Sequence, residues 1–234
     1  VHDYTIEHKI LKNNGTYEWL FGTEEASTQK GQGKYGERYI GTAMERAGYY
    51  VDGSKTDASR LKQSKIITND SELNVITFYY VSEPVEINYR IVVNGVVGTN
   101  IDGCYVTPSL NSANAHAGSV SGSVPHIADT YYFVGWFTDE ACTDSVPDNW
   151  VDDSGKITPM AVDGIIKEAT YYAKVEPRKL TITKKGDVQD NETFLFNVKN
   201  IEKNIDMVVA VTGKGSATIE YIPSGDYTVT ELDD

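Results

Sequence analysis

The sequence predicts a mainly β protein built from tandem modules, and three observations lead to this fold class. Short runs in which apolar and polar residues alternate, the period of a half-buried strand, recur along the chain between turn residues. Its 16 Tyr, 6 Phe and 3 Trp supply too much apolar surface for a chain that stays disordered. Hardly any stretch shows the spacing of a long amphipathic helix.

The first third is predicted to hold three strands and a short helix. Alternation over residues 4–10 indicates a strand, Asn13-Asn14-Gly15 indicates a turn, and residues 16–21 form the expected return strand. Residues 73–81 have the strongest strand pattern of this third. A short helix is expected around residues 41–47.

The rest of the chain reads as a series of short strands. They are predicted at residues 85–97 with a break at Asn94-Gly95, and at 131–137, 171–175, 179–184, 193–198, 207–211, 216–219 and 226–231. Short strands at this spacing, with turn residues between them, are typical of a β-sandwich or barrel.

Charge is distributed unevenly and suggests module boundaries. Residues 83–177 carry 13 Asp+Glu against 4 Lys+Arg, which is most of the chain's formal net charge of −13. Proline follows an aromatic-rich apolar run at Ser82-Glu83-Pro84 and at Glu176-Pro177-Arg178, where a strand would end. We therefore predict three modules, at residues 1–82, 83–177 and 178–234.

Several classes of function are disfavoured by composition. A pI near 4.7 argues against nucleic acid or an anionic membrane as the main partner, because both need a positive face. No apolar run reaches the roughly 18 to 20 residues that span a bilayer. The chain opens at Val1 with no leader pattern, so we interpret it as a piece of a longer protein.

Residues 1–82 resemble a mucin-binding-protein (MucBP) type repeat. The similarity is carried by the opening YTIEHKILKNNGTYE and the closing LNVITFYYV. Residues 83–177 resemble a Listeria-Bacteroides repeat through YYFVGWFTDEACT and the closing ATYYAKVEP, although Val175 stands where that family has a terminal Trp. Both resemblances imply small β-grasp-like (α+β) modules of Gram-positive surface proteins.

Residues 178–234 resemble a Cna protein B-type domain, the SpaA-like pilin module. The matching segments are KLTITKKGD, FLFNV and IPSGDYTVTE. The resemblance implies an Ig-like β-sandwich in which a lysine condenses with an Asn or Asp on the last strand, aided by a glutamate. The positions that match are Lys184 as nucleophile and Glu231 as proton-transfer catalyst. We expect the acceptor to be absent from this chain and the sandwich to be incomplete at its C-terminus.

Strand parity gives an independent reason to consider Lys184 and Glu231. Lys184 shares a face with Leu180 and Ile182, and Glu231 shares one with Tyr227 and Val229, so both charges are predicted to point inward. Charges removed from water must pair or become neutral. A neutral amine and a protonated carboxyl are what amide formation requires. The alternative is that Lys184 reaches water at the end of its strand and Glu231 lies on an exposed strand end.

Other candidate sites follow from single residues. Cys104 and Cys142 fall in the middle module and are either a disulfide or two free thiols. Trp150 lies in a loop-like stretch and is a candidate ligand contact, whereas Trp136 is expected in a core. The four histidines lack metal-ligand spacing, and His8 is interpreted as a packed core residue. No metal site and no cofactor are predicted.

These observations predict a non-catalytic stalk or adhesion segment of an extracellular, cell-wall-anchored Gram-positive surface protein. The third module is of the kind that forms an intramolecular Lys-Asn/Asp isopeptide bond. Two alternatives stay open: the first modules bind a host glycan, mucin, glycoprotein or extracellular matrix, or the chain is an accessory part of a large secreted glycosidase. Neighbouring modules of the same chain are expected partners; nucleic acid and direct membrane insertion are not.

Overall fold

The computed structural model describes residues 1–12, 14–54 and 57–232. The fold is mainly β, which confirms the predicted class. The helical turns of the described residues are three short 3-10 helices, at Glu25–Ser27, Ala58–Leu61 and Asp148–Trp150.

The chain forms two compact units. One comprises Val1–Glu86, Ser112–Ser121 and Pro159–Glu168, and the other comprises Ile87–Asn111, Gly122–Thr158 and Ala169–Asp234. The division into three modules, with boundaries near residues 82 and 177, stays a prediction.

The first unit is built on a sheet with the strand order β2-β1-β7-β5, on which β3 also pairs with β1, and on a two-stranded ribbon, β4-β6. The strands among its described residues are β1 (His2–Leu11), β2 (Tyr17–Trp19), β3 (Thr28–Gly33), β4 (Arg38–Thr42), β5 (Tyr49–Val51), β6 (Lys62–Ile66) and β7 (Val75–Ser82). Alternation in β1 places Ile6, His8 and Ile10 in the core, opposite Ile76, Phe78 and Tyr80 of the parallel strand β7.

The helix expected around residues 41–47 is wrong, because residues 38–42 form strand β4 instead. Gly41 lies against the core sheet: a Cβ there would stand 3.2 Å from Ile6 and from Ile76. The glycine therefore lets an extended backbone pack closely over the sheet, and pairing with β6 satisfies its hydrogen bonds.

The next part of the chain forms two further sheets, with strand orders β12-β8-β15-β14 and β10-β11-β13; β9 adds to β8. The strands are β8 (Pro84–Val93), β9 (Val96–Gly98), β10 (Asn100–Ile101), β11 (Cys104–Thr107), β12 (Leu110–Asn114), β13 (Val124–His126), β14 (Tyr131–Phe137) and β15 (Ala169–Pro177). The predicted break at Asn94-Gly95 is confirmed as a hairpin turn in which both residues have positive φ, 51° and 78°.

In both of these β regions an early strand pairs in parallel with a late one. β1 pairs with β7, and β8 pairs with β15. Parallel neighbours require a long crossover, and the intervening strands supply it in each case. The β8–β15 pair is largely buried, which agrees with its run of Val, Ile and Tyr.

The C-terminal part of the second unit is a small sandwich, here called the C-terminal sandwich. One sheet pairs β16 with β19, and the other has the order β18-β17-β20. The strands are β16 (Lys179–Thr183), β17 (Thr193–Asn200), β18 (Ile205–Thr212), β19 (Ser216–Glu220) and β20 (Thr228–Glu231). Its core contains Ile182, Phe196, Val198 and Val211, with Leu180 and Phe194 packed against them.

Candidate functional site

Lys184 follows directly after strand β16, at the end of the C-terminal sandwich. Its backbone N–H donates to the carbonyl of Gly215 at 3.2 Å, which continues the pairing of β16 with β19 by one residue. Its side chain is only 19% exposed, and its ammonium lies 4.2 Å from the centre of the Phe194 ring. A cation in this position over an aromatic face is attracted by the ring quadrupole.

Glu231 approaches the same ammonium from the other sheet. Both carboxylate oxygens accept hydrogen bonds from Lys184 Nζ, at 2.7 Å each. Glu231 lies opposite Phe196 across β20 and β17. Because directly opposed residues share a face, the carboxylate leaves the sheet on the side of the core. The structure thus brings together the two residues that the sequence analysis singled out for the crosslink.

The predicted burial of this pair needs a correction. The Glu231 side chain is 41% exposed, and Val229 on the same face is 40% exposed. The cause is the place of β20 at the end of the described strand order β18-β17-β20, where only β17 flanks it. The parity argument predicted which face these side chains occupy, but it did not predict that this face lies at a sheet edge.

The site contains an amine and a proton acceptor in direct contact. In the structure Lys184 and Glu231 form an ion pair, and the ammonium lies beside the ring of Phe194. A carboxylate within hydrogen-bond distance of an ammonium can take its proton and release a nucleophilic amine. The neighbouring Lys185 is exposed, and Lys179 pairs with Glu220 at 2.7 Å on the outer surface.

No protein-family model and no curated protein matches the sequence. Among solved structures, the chain is similar to the Bacillus anthracis TIE protein, with 13% identity and a TM-score of 0.44 over 100% of this chain and 46% of that one. It is also similar to the major pilin subunit of Bacillus cereus, with 13% identity and a TM-score of 0.38 over 98% of this chain and 88% of that one. A streptococcal ancillary pilin matches with 9% identity and a TM-score of 0.22, over 99% and 90% of the two chains.

The chain spans less than half of the first of these three structures. All three TM-scores lie below 0.5, so the proposals that follow rest on the residues of this chain. Within the described ranges, no helix has the length and apolar character needed to cross a lipid bilayer.

In the structure the two cysteines are not bridged and have separate partners; the choice between a disulfide and two free thiols stays a prediction. Cys104 is fully buried on β11, and its sulfur accepts a hydrogen bond from the backbone N–H of Ala128 at 3.3 Å. The sulfur of Cys142 lies 3.7 Å from the carbonyl oxygen of Glu140. Burial raises the pKa of both thiols. Raised pKa values and burial make both sulfurs slow to react in the folded protein.

Trp136 and Trp150 have different surroundings. Trp136 is 2% exposed and donates from Nε1 to the carbonyl of Gly155 at 2.8 Å, so its predicted core position is confirmed. Trp150 is half-buried and packs edge-on against the ring of Tyr171, with 5.9 Å between ring centroids. Part of its ring is therefore committed to packing, and its role as a ligand contact stays a prediction.

His8 lies in the core of the first unit, which confirms its interpretation as a packed residue. Its Nδ1 is 3.0 Å from the Tyr80 hydroxyl, which itself donates to the carbonyl of Met44 at 2.8 Å. The backbone N–H of Met44 donates to the same Nδ1 at 3.5 Å. Burial lowers the pKa of His8 to about 4 and raises the pKa of Tyr80 to about 12.

Sequence reasoning missed a polar cluster in the second unit. Asp129 accepts hydrogen bonds from the hydroxyl and the backbone N–H of Ser224 and from Lys203 Nζ, the last at 2.5 Å. These partners are 74 and 95 residues away along the chain. None of the three stands out by motif or parity, so no sequence signal pointed to the cluster.

Proposed function

We propose that this chain is a non-catalytic stalk or adhesion segment of a Gram-positive cell-wall surface protein, and that its C-terminal sandwich forms an intramolecular isopeptide bond through Lys184. The contact between Lys184 and Glu231 carries the crosslink part of the proposal. It joins a primary amine and a carboxylate from different sheets at 2.7 Å, beside the ring of Phe194. The extracellular, wall-anchored setting rests on the sequence resemblances.

The proposed reaction needs one further residue, an Asn or Asp on an added strand. Glu231 takes a proton from the Lys184 ammonium, and the neutral Nζ attacks the side-chain carbonyl carbon of the acceptor. A new C–N bond forms and the bond to the leaving group breaks. The proton held by Glu231 passes to that group, which departs as ammonia from Asn or as water from a protonated Asp, and the second proton lost by Nζ is taken up by Glu231 and released to solvent. The acceptor is proposed to lie outside the 234 residues.

The partial burial of Lys184 fits a nucleophile better than a surface ion pair. The Lys184 side chain is 19% exposed, whereas the side chains of the Lys179–Glu220 pair are 51% and 49% exposed. An amide bond in place of the ion pair would remove a charge from this site. It would also connect two strands covalently, so that a pulling force would act on a bond and not on sheet packing alone.

The intact mass of a chain extended past Asp234 tests the crosslink. We expect the extended protein to be lighter than its sequence by one ammonia or one water, and Lys184→Ala to abolish that loss. Lys179→Ala and Lys185→Ala are matched controls that should keep it, because neither amine contacts Glu231. An extended wild-type chain with its full sequence mass would contradict the proposal.

Glycan binding by the first unit is a second candidate, favoured by one observation. Tyr17 of β2 and Tyr79 of β7 are 51% and 38% exposed, and their rings lie 4.9 Å apart. A cavity of about 360 Å³ adjoins Tyr79, and its lining is largely polar, including Asp52, Ser59, Arg60 and Gln63. Exposed rings beside hydrogen-bonding groups suit a sugar, whose C–H face stacks while its hydroxyls bond.

A glycan array that includes mucin-type glycans tests this candidate. We expect binding that is lost in Tyr17→Ala and in Tyr79→Ala and retained in Tyr35→Ala, a change at another exposed tyrosine. If glycan binding is lost only in Trp150→Ala, the sugar contact is instead at Trp150, the residue predicted from the sequence. An array without any binding would count against both placements.

A further inference from the structure

A single residue links the C-terminal sandwich to the sheet before it in the second unit. β15 ends at Pro177 and β16 begins at Lys179, so only Arg178 lies between them. One covalent connection leaves two packed parts free to rotate about it, and relative motion is the ordinary expectation where the contact between them is small and polar. A fixed orientation of the C-terminal sandwich on the preceding sheet therefore requires further contacts between the two.

The Asp129 cluster is the first such contact. Asp129 precedes β14, whereas Lys203 lies in the turn between β17 and β18 and Ser224 lies in the loop between β19 and β20. One carboxylate therefore binds two separate loops of the C-terminal sandwich. These hydrogen bonds lower the pKa of Asp129 to about 2, with the bond from Lys203 as the largest cause. The carboxylate stays ionised at neutral pH, and hydrogen bonds to a charged acceptor are stronger than neutral ones.

Tyr221 forms the second contact. Its hydroxyl accepts a hydrogen bond from the side-chain amide of Asn94 at 3.1 Å, at the β8–β9 hairpin turn. Its ring meets the buried Tyr131 ring edge to face, with 5.7 Å between centroids. Tyr221 itself has a positive φ of 57°, a conformation that non-glycine residues seldom adopt and that needs support from its surroundings.

The linking residue is held on both sides. The backbone N–H of Arg178 donates to the carbonyl of Thr130 at 2.9 Å, and its own carbonyl accepts from the N–H of Ile222 at 3.3 Å. Beside Tyr221 the surface is open, with a cavity of about 400 Å³ lined in part by Lys174, Glu176, Lys179 and Glu220. Because this cavity is not filled by side chains, the orientation of the C-terminal sandwich depends more on the polar contacts.

We propose that the Asp129 cluster and the Tyr221 contact together form a joint that fixes the orientation of the C-terminal sandwich on the β8–β15 sheet. Two contacts at separate points, added to the covalent link, remove the rotations that the link alone permits. Asp129 is the more important member because it binds two loops at once. This joint does not require the crosslink proposed at Lys184.

Residual dipolar couplings on the full 234-residue chain test the joint. In the wild type we expect one alignment tensor to fit the amides of β8 and β15 together with those of β17 and β18. In Asp129→Asn, which keeps the size of the side chain, we expect this common tensor to be lost. Asp206→Asn is the matched control, because Asp206 binds Asn197 and Lys199 within the sandwich and should leave the tensor unchanged.

Each outcome decides the proposal. A wild type that needs two tensors would overturn it, and so would an Asp129→Asn protein that keeps the wild-type tensor. Loss of the common tensor in Asp129→Asn, together with its retention in Asp206→Asn, would support the proposal. If Asp129→Asn perturbs the amide signals of the sandwich core, Lys203→Met replaces it, since that change releases the turn between β17 and β18 from Asp129. Loss of the common tensor in that variant would support the joint, and retention would overturn it.

Discussion

Glu231 stands directly opposite Phe196 across strands β20 and β17, so a carboxylate projects from the same sheet face as a core phenylalanine. Its partner Lys184 lies over the ring of Phe194, two residues along the same strand β17. The ion pair therefore lies where the apolar core reaches the edge of the sandwich. The coupling energy of this pair can therefore be compared with that of the more exposed Lys179–Glu220 pair.

A double-mutant cycle on Lys184→Met and Glu231→Gln should give a favourable coupling of up to about 1 kcal/mol in the chain without a crosslink, because the pair is partly exposed. The cycle on Lys179→Met and Glu220→Gln should give a smaller value, since both of those side chains are about half exposed. Urea unfolding at low salt measures both couplings. Equal couplings would show that the Phe194 ring and the partial burial add nothing.

The first unit should lose stability as the pH falls from about 6.5 to about 4. The pKa of His8 is lowered from 6.5 to about 4 by burial, so within this window the unfolded chain binds a proton at His8 that the folded chain does not. The full effect, on the order of 3 kcal/mol, is present above pH 6.5 and is lost as the pH falls through that range.

Urea unfolding followed through the amide signals of β1 and β7 should reveal this slope, and His8→Phe should flatten it. The difference between the two proteins at pH 8 gives the packing and hydrogen-bond contribution alone, because His8 is neutral there in both states. An unchanged slope in His8→Phe would assign the pH dependence to other groups.

Gly122→Ala should destabilise the second unit. A Cβ at this position would stand 1.7 Å from the backbone carbonyl oxygen of Ile157, and Ile157 exchanges backbone hydrogen bonds with Ser123. The backbone must move, at a cost of about 1 to 3 kcal/mol or more in the free energy of unfolding. Gly98→Ala is the control, because its Cβ would meet the movable end of Ile101 at 3.2 Å. Equal losses would contradict the close approach at Gly122.

Both cysteines should resist alkylation in the native protein, with unreacted thiols detected by mass spectrometry. Cys104 is fully buried and Cys142 is 9% exposed, and burial raises the pKa of each thiol. In denaturant without reductant, two added alkyl groups would establish free thiols. No addition until a reductant is present would establish the disulfide that the sequence left open.

Much of the strand layout was predictable because alternation is a local property. The strand predicted at residues 131–137 coincides with β14, and the hairpin turn at Asn94-Gly95 follows from the tolerance of both residues for positive φ. The helix expected around residues 41–47 failed because close packing on Ile6 and Ile76 selected an extended backbone, and no local pattern encodes that approach.

The candidate site was also predictable only in part. Parity along two strands was enough to place Lys184 and Glu231 on core-facing sides, since successive side chains of a strand alternate between faces. Parity carries no information on distance, however. The 2.7 Å contact, the Phe194 ring beneath the ammonium and the exposure of Glu231 depend on which strands neighbour each other.

The sequence by itself therefore determined the β class, most strands and the face that each side chain of those strands occupies, because these follow from backbone stereochemistry over a few residues. Only the tertiary structure decided which strands form edges and which charges meet. It joined Asp129 to Lys203 and Ser224 across 74 and 95 residues of chain. Such contacts depend on how sheets close on one another, and no short stretch of sequence specifies that.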